Sequence, residues 1–405
     1  MKQFFQSKKF LAIMSFLGIY LLSSGVSWLI FSSNTSQPVN TTDPEAVGNA
    51  RSRIDPNAPK TEACPINGML LTAQERDIWE GRSPLLAVIE NHLDSRPPSG
   101  VSRADVVYEA VAEGGITRFL NVFYCAVSDM DYRIGPVRSA RVYFIKWAAE
   151  YGKNPLFLHV GGANNICNDC PGGVKPVGDI AKNVDAFALL NTLGWRGASG
   201  NALDGGTNVG YPVVWRDYER IPGAATEHTY MGSTDKLFEE AEKRGYGANN
   251  PKEVAWDSSF VSWKFTDSQP SSSPVASSIS FEFWQNQADY DVTWQYDSQN
   301  NQYLRSNGGK PHVDMETSEQ LNAKNIVVQF VKEQSGVDNE KHNYYENVGT
   351  GEALIFQNGD VIEGTWKKAT ISDRTRYFDE DGLEISFVRG KIWIEAVPAG
   401  NTINY

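Results

Sequence analysis

The sequence predicts an α+β chain: a mixed α/β N-terminal half followed by a mostly-β C-terminal half. Three observations carry this. Before residue 250, continuous apolar runs such as Leu85-Leu86-Ala87-Val88-Ile89 alternate with stretches of helical period, as buried strands and their helices do. After residue 250, short alternating segments are separated by turn signals, with no helix of note. Within that second half, Asn358-Gly359 joins two apolar segments, a strong hairpin signal.

Taken in order, Lys2, Lys8 and Lys9 precede an uncharged stretch from Phe10 to Phe31, and the next basic residue is Arg51. As a helix that stretch spans about 33 Å, enough for a bilayer core. The positive-inside rule then keeps the N-terminus in the cytoplasm and the rest outside. Residues 1–31 are expected to be a single-pass signal anchor in the cytoplasmic membrane, with a cleaved signal peptide as the alternative. Residues 32–62, rich in Ser, Asn, Thr and Pro, are expected to be a flexible tether with a reach of about 30 Å.

Residues 63–250 form the expected α/β domain. Strands are predicted at 85–89, 105–112, 119–127 and 155–160. Helices are predicted at about 139–151, 179–193 and 234–244, the last with Ser233 or Thr234 as N-cap and Gly245 as its stop. Residues 251–405 form the expected β-rich domain. Its strands are 279–284, 291–296, 325–331, 353–357, 361–366, 383–388 and 391–397, with a turn at 317–323.

The formal net charge of −12 argues against a broad nucleic-acid footprint. Cys64, Cys125, Cys167 and Cys170 fit an exported, oxidised protein and are disulfide candidates. Cys167-x-x-Cys170 lacks the second pair that a zinc site needs, and a structural disulfide is expected there. No His-Glu-x-x-His or EF-hand spacing appears, so neither a metal nor a cofactor is expected.

The strongest lead to chemistry is Gly135-Pro136-Val137-Arg138-Ser139-Ala140-Arg141, placed where a helix is predicted to begin. A helix N-terminus is a poor place for bases, so two arginines there call for an anion, either a ligand or a carboxylate from elsewhere in the chain. Glu109 and Glu113 have even spacing, which puts them on one strand face. They offer either an acid/base pair or partners for Arg118, Arg138 and Arg141. Asn91, His92 and Arg96 follow the 85–89 strand, where sites form in α/β folds. His159 ends another strand, and His228 lies in a loop before the last helix.

The blocks AVIENHLDSRPPSGVSRADVVYEAVAEGGITRFLNVFY (87–124), IGPVRSAR (134–141), HVGG (159–162), LNAKNIVVQFV (321–331), VIEGTWKKAT (361–370) and KIWIEAVP (391–398) together resemble the YerB-like family of bacterial envelope proteins. The resemblance implies two joined domains, α/β then β-rich, held outside the cytoplasmic membrane. Members are often lipoproteins; this chain lacks the lipobox cysteine. The family implies no reaction.

The expected function is therefore binding of an anionic cell-envelope ligand, such as a wall glycan, by a membrane-tethered extracytoplasmic protein. The site residues would be Asn91, His92, Arg96, Glu109, Glu113, Arg118, Arg138, Ser139, Arg141, His159 and His228. The alternatives are an envelope glycan or phosphoryl hydrolase or transferase, with Glu113, Glu109 or His92 as acid/base, and a scaffold that recruits proteins through its β-rich half.

Overall fold

In a computed structural model of the protein, residues 51–405 apart from Ser268 are described. The expected anchor, and residues 32–50 of the expected tether, lie outside the described residues. The described end of that tether is docked rather than free: Arg51 is held by Asp235 and by the carbonyl oxygen of Ser128.

The chain is α+β and is organised on one ten-stranded mixed sheet. In chain order its strands are β1 (Leu85–Glu90), β2 (Val106–Glu113), β3 (Ile116–Phe123), β4 (Leu156–His159) and β5 (Ala202–Asp204), then β6 (Asn325–Val331), β7 (Gly349–Gln357), β8 (Asp360–Lys368), β9 (Arg376–Asp379) and β10 (Ile392–Pro398). Their order across the sheet is β9-β8-β7-β6-β10-β2-β3-β1-β4-β5. The halves on either side of residue 250 thus meet edge to edge. β10 runs parallel to β2, with Ile392 opposite Val106 and Glu395 opposite Glu109.

Local chemistry explains the element ends. β2 turns into β3 through Gly114 and Gly115, both at positive φ, with a bulge between Val111 and Glu113. β3 stops at Phe123 because the next three N–H groups, of Tyr124, Cys125 and Ala126, are taken by the Asp105 carboxylate. Asn358 and Gly359, at φ 60° and 85°, make the tight turn between β7 and β8 that the Asn-Gly pair predicts.

Among the described residues four α-helices accompany the strands: α1 (Ala73–Trp79), α2 (Val142–Ala148), α3 (Ala186–Thr192) and α4 (Thr234–Lys243). α4 is capped by Ser233, whose hydroxyl accepts from Lys236, and it ends before Gly245 at φ 87°. The helix predicted over 179–193 is split. Asp185 caps α3 by accepting from Ala188 and leaves a 3-10 segment before it. α2 begins three residues later than predicted, because residues 137–140 are extended: Arg138 N–H donates to Val88 and Ala140 N–H to Gly161.

The faces of the sheet are covered differently. Tyr108 packs on Trp147 of α2 on one side. On the other, Trp393 and Phe119 pack against an antiparallel sheet built around Ser278–Phe281, Val292–Asp297 and Gln302–Asn307, through Trp294. Cys64 is bonded to Cys125 and Cys167 to Cys170.

Candidate functional site

Strand parity places the charged residues. In a regular strand Glu109 and Glu113 would share a face. The bulge before Glu113 inserts one residue and turns its side chain to the opposite side. The expectation of a paired carboxylate face is therefore corrected: the two acids serve separate networks.

Glu109 faces the second sheet and is wholly buried. Arg305, from the strand Gln302–Asn307, bridges it at 2.6 Å and Glu395 at 2.8 Å, with all three side chains fully buried. Trp294 and Trp393 stack on the Arg305 guanidinium, at 5.2 and 4.7 Å from its central carbon. Asn91 donates to Thr117 and Asn307 on the same face. Burial, reinforced by the charge of Glu109, pushes the Glu395 carboxyl well up. Burial, with Arg305 beside it, pushes His312 well down. One guanidinium thus serves two buried carboxyl groups in the seam. Arg96 also belongs to this side, donating to Asn91 and to the carbonyl oxygen of Asp289.

The α2 face holds the other network. Arg118 and Arg141 both bind Glu113, the Arg118 contact being 2.9 Å. Burial alone would raise the Glu113 carboxyl, but Arg118 and then Arg141 outweigh it and hold it at about 2. Arg138 is ion-paired with Glu90 at 3.1 Å and donates to the carbonyl oxygen of Glu227. Burial lowers Arg138 and Arg141, and each is pushed further by neighbouring guanidiniums against the pull of its glutamate. Thus the anions that the sequence asked for are Glu113 for Arg141 and Glu90 for Arg138, the latter unforeseen. Three guanidiniums still face only two carboxylates. Arg118, 7% exposed, keeps Nε and Nη1 buried without a hydrogen-bond partner.

Beside Arg141 opens a cleft of about 350 Å³, lined among others by Ser139, Arg141, Asn164, Asn165, Glu340 and His342. His342 is bonded to Asp338 at 2.7 Å. His92 and His228 stack with ring centroids 4.8 Å apart, and Glu90 binds His228 Nδ1 at 2.8 Å. His159 stands apart. It is buried, bonded to the Gly161 carbonyl oxygen, and held below its ordinary range by that burial. So Arg118, Arg138, Arg141 and Glu113 converge on one face, with His92 and His228 joined to them through Glu90 and Ser139 beside Arg141. Asn91, Arg96, Glu109 and His159 do not. Glu90, Arg305, His342 and Glu395 were not assigned to the site from the sequence, although Glu90 directly precedes the predicted Asn91 and His92. Glu90 and Glu395 carried a signal, each being a lone acid within or ending an apolar strand.

The fold and this cluster define a class: an α+β protein whose two halves share one sheet through a buried ionic seam, with an arginine cluster at one face. Family models described as the N-terminal and C-terminal domains of a protein of unknown function (DUF3048) match residues 71–247 and 279–394. A Bacillus subtilis (strain 168) protein named "Putative lipoprotein YerB" is 30% identical over 85% of this chain and 88% of its own length. The chain belongs to this YerB-like DUF3048 family. The crystal structure of YerB from Bacillus subtilis covers 85% of this chain and 100% of its own, with a TM-score of 0.64 and 28% identity.

Proposed function

We propose that the protein is tethered to the outer side of the cytoplasmic membrane by residues 1–31 and binds an anionic cell-envelope group through Arg118, Arg138 and Arg141. The observation that carries the proposal is Arg118: a buried guanidinium with two N–H groups unmatched, in a cluster with one more positive than negative charge. Buried donors of this kind find partners, and a phosphate or carboxylate oxygen suits a guanidinium fork. Ser139 and Arg141 line the adjoining cleft. The name of the Bacillus relative, a lipoprotein, and the apolar stretch Phe10–Phe31 support the membrane location.

Binding is favoured over glycan hydrolysis by these carboxylates. Glu113 is held ionised far below neutrality, a poor general acid, and Glu109 is sealed in the seam. The test is sedimentation of the full-length protein with purified envelope fractions. Arg138→Ala plus Arg141→Ala should lower the bound fraction at least tenfold, with Arg138→Ala alone as the milder change. Unchanged binding by folded double variant would sink the proposal.

A further inference from the structure

We infer that His92, Asp94 and His228 form a binding site for a divalent transition metal, with zinc as the best fit. One ligand atom from each residue lies within 4.8 Å of the others. His228 is buried, whereas His92 is partly and Asp94 largely exposed, at 29% and 73%. The buried ring is the fixed point and the other two side chains have room to turn toward an ion.

The arrangement around His228 is that of a metal ligand. Its Nδ1 is bonded to Glu90, which leaves Nε2 for an ion. Glu90 in turn is paired with Arg138. A carboxylate behind an imidazole fixes its tautomer and raises its basicity, and metal-bound histidines nearly always have such a partner. His92 Nδ1 accepts from the Asp94 backbone, which likewise leaves Nε2. Two imidazoles and one carboxylate form a donor set that suits zinc and keeps a fourth position for water or a ligand oxygen. Tetrahedral zinc draws such donors to about 3.4 Å apart, closer than the 4.8 Å within which these atoms lie, so binding requires the stacked rings of His92 and His228 to open toward the ion.

No sequence spacing could reveal this. His92 and Asp94 follow β1, while His228 comes from the 3-10 turn Thr226–His228 on the far side of the domain sequence. The expectation of no metal rested on local motifs alone. The other His/Cys/carboxylate grouping among the described residues, Cys64, Asp105 and Cys125, has both sulfurs committed to a disulfide. The inference stands on these contacts and not on the anion-binding proposal.

The experiment is calorimetric titration of the chelator-treated, oxidised full-length chain with Zn²⁺ alone, in a buffer free of phosphate. One ion per chain is expected, at micromolar affinity or tighter. His92→Ala and His228→Ala should each weaken it at least tenfold. Glu90→Gln should weaken it about 10- to 100-fold by losing the orienting carboxylate. Co²⁺ should give the visible absorption of a four-coordinate site, lost in His92→Ala. Because His228 is buried and its removal can disturb folding, the partly exposed His92→Ala, with unchanged near-UV circular dichroism, decides the matter. No binding, or binding that His92→Ala leaves intact, overturns the inference. So does binding abolished by Cys167→Ser plus Cys170→Ser, which would place the ion in that disulfide loop instead.

Discussion

Glu113→Gln is the sharpest probe of the arginine cluster, because it removes the charge between Arg118 and Arg141 and keeps the shape. Lowering a carboxyl from 4.5 to about 2 corresponds to about 3 kcal/mol, at about 1.36 kcal/mol per tenfold change in acidity. That is an upper bound. Arg141 is itself held below its ordinary range by burial, so the arginine side of the pair gives part of the gain back. About 2–3 kcal/mol at pH 7 is the expected loss, which for an ordered chain of this length lowers Tm by about 3–4 °C. The sign of the pH dependence follows from the direction of the shift. The folded carboxyl is more acidic than the unfolded one, so its stabilisation is complete above about 4.5 and is lost as pH falls through about 2. At pH 3 less than half of the upper bound remains. Thermal unfolding followed by circular dichroism at pH 7 and pH 3 should show the gap between wild type and variant narrowing. Phosphate should raise the Tm of the variant more than that of wild type, because an added anion replaces the missing one. A gap below about 1 °C at pH 7, or one equal at both pH values, refutes the reasoning.

The seam gives a second prediction. Arg305→Met leaves Glu109 and Glu395 side by side in register without their guanidinium. It should cost about 3–5 kcal/mol in urea unfolding, much of it recovered by adding Glu109→Gln and Glu395→Gln. The Cys64–Cys125 bond closes a loop with a sequence separation of 61, so Cys64→Ser plus Cys125→Ser should lose about 4 kcal/mol in the same assay. At the β7–β8 turn, Gly359 has φ 85° and an added Cβ would meet the Tyr296 ring at 2.6 Å. Gly359→Ala should therefore cost about 1–3 kcal/mol, read from thermal unfolding.

Elements with a local cause were legible in the sequence. The apolar runs became β1 and β6, Asn358-Gly359 became a hairpin, and Ser233 became the α4 cap. A local signal was also overlooked: Thr72 and Glu75 form a capping box that starts α1. What depends on distant pairing was not legible. Nothing near Glu395 says that its strand lies beside Glu109, and nothing near Arg305 says that it fills the space between them. The parity of Glu113 failed for a subtler reason. Even spacing predicts a shared face only in an unbroken ladder, and a bulge is set by how two strands close over Gly114-Gly115.

That bulge has a consequence for function. Were the ladder regular, Glu113 would point to the same side as Glu109, and Arg118 and Arg141 would face α2 without it. The extra residue turns its carboxylate to the arginine side. That side then holds three guanidiniums against the carboxylates of Glu113 and Glu90. A fully neutral arginine face would be a structural network and nothing more. On this face Arg118 keeps two buried N–H groups without a partner, and Arg141 borders the cleft. The same single-residue insertion that defeats the strand pattern is thus what brings the Glu113 carboxylate to Arg118 and Arg141.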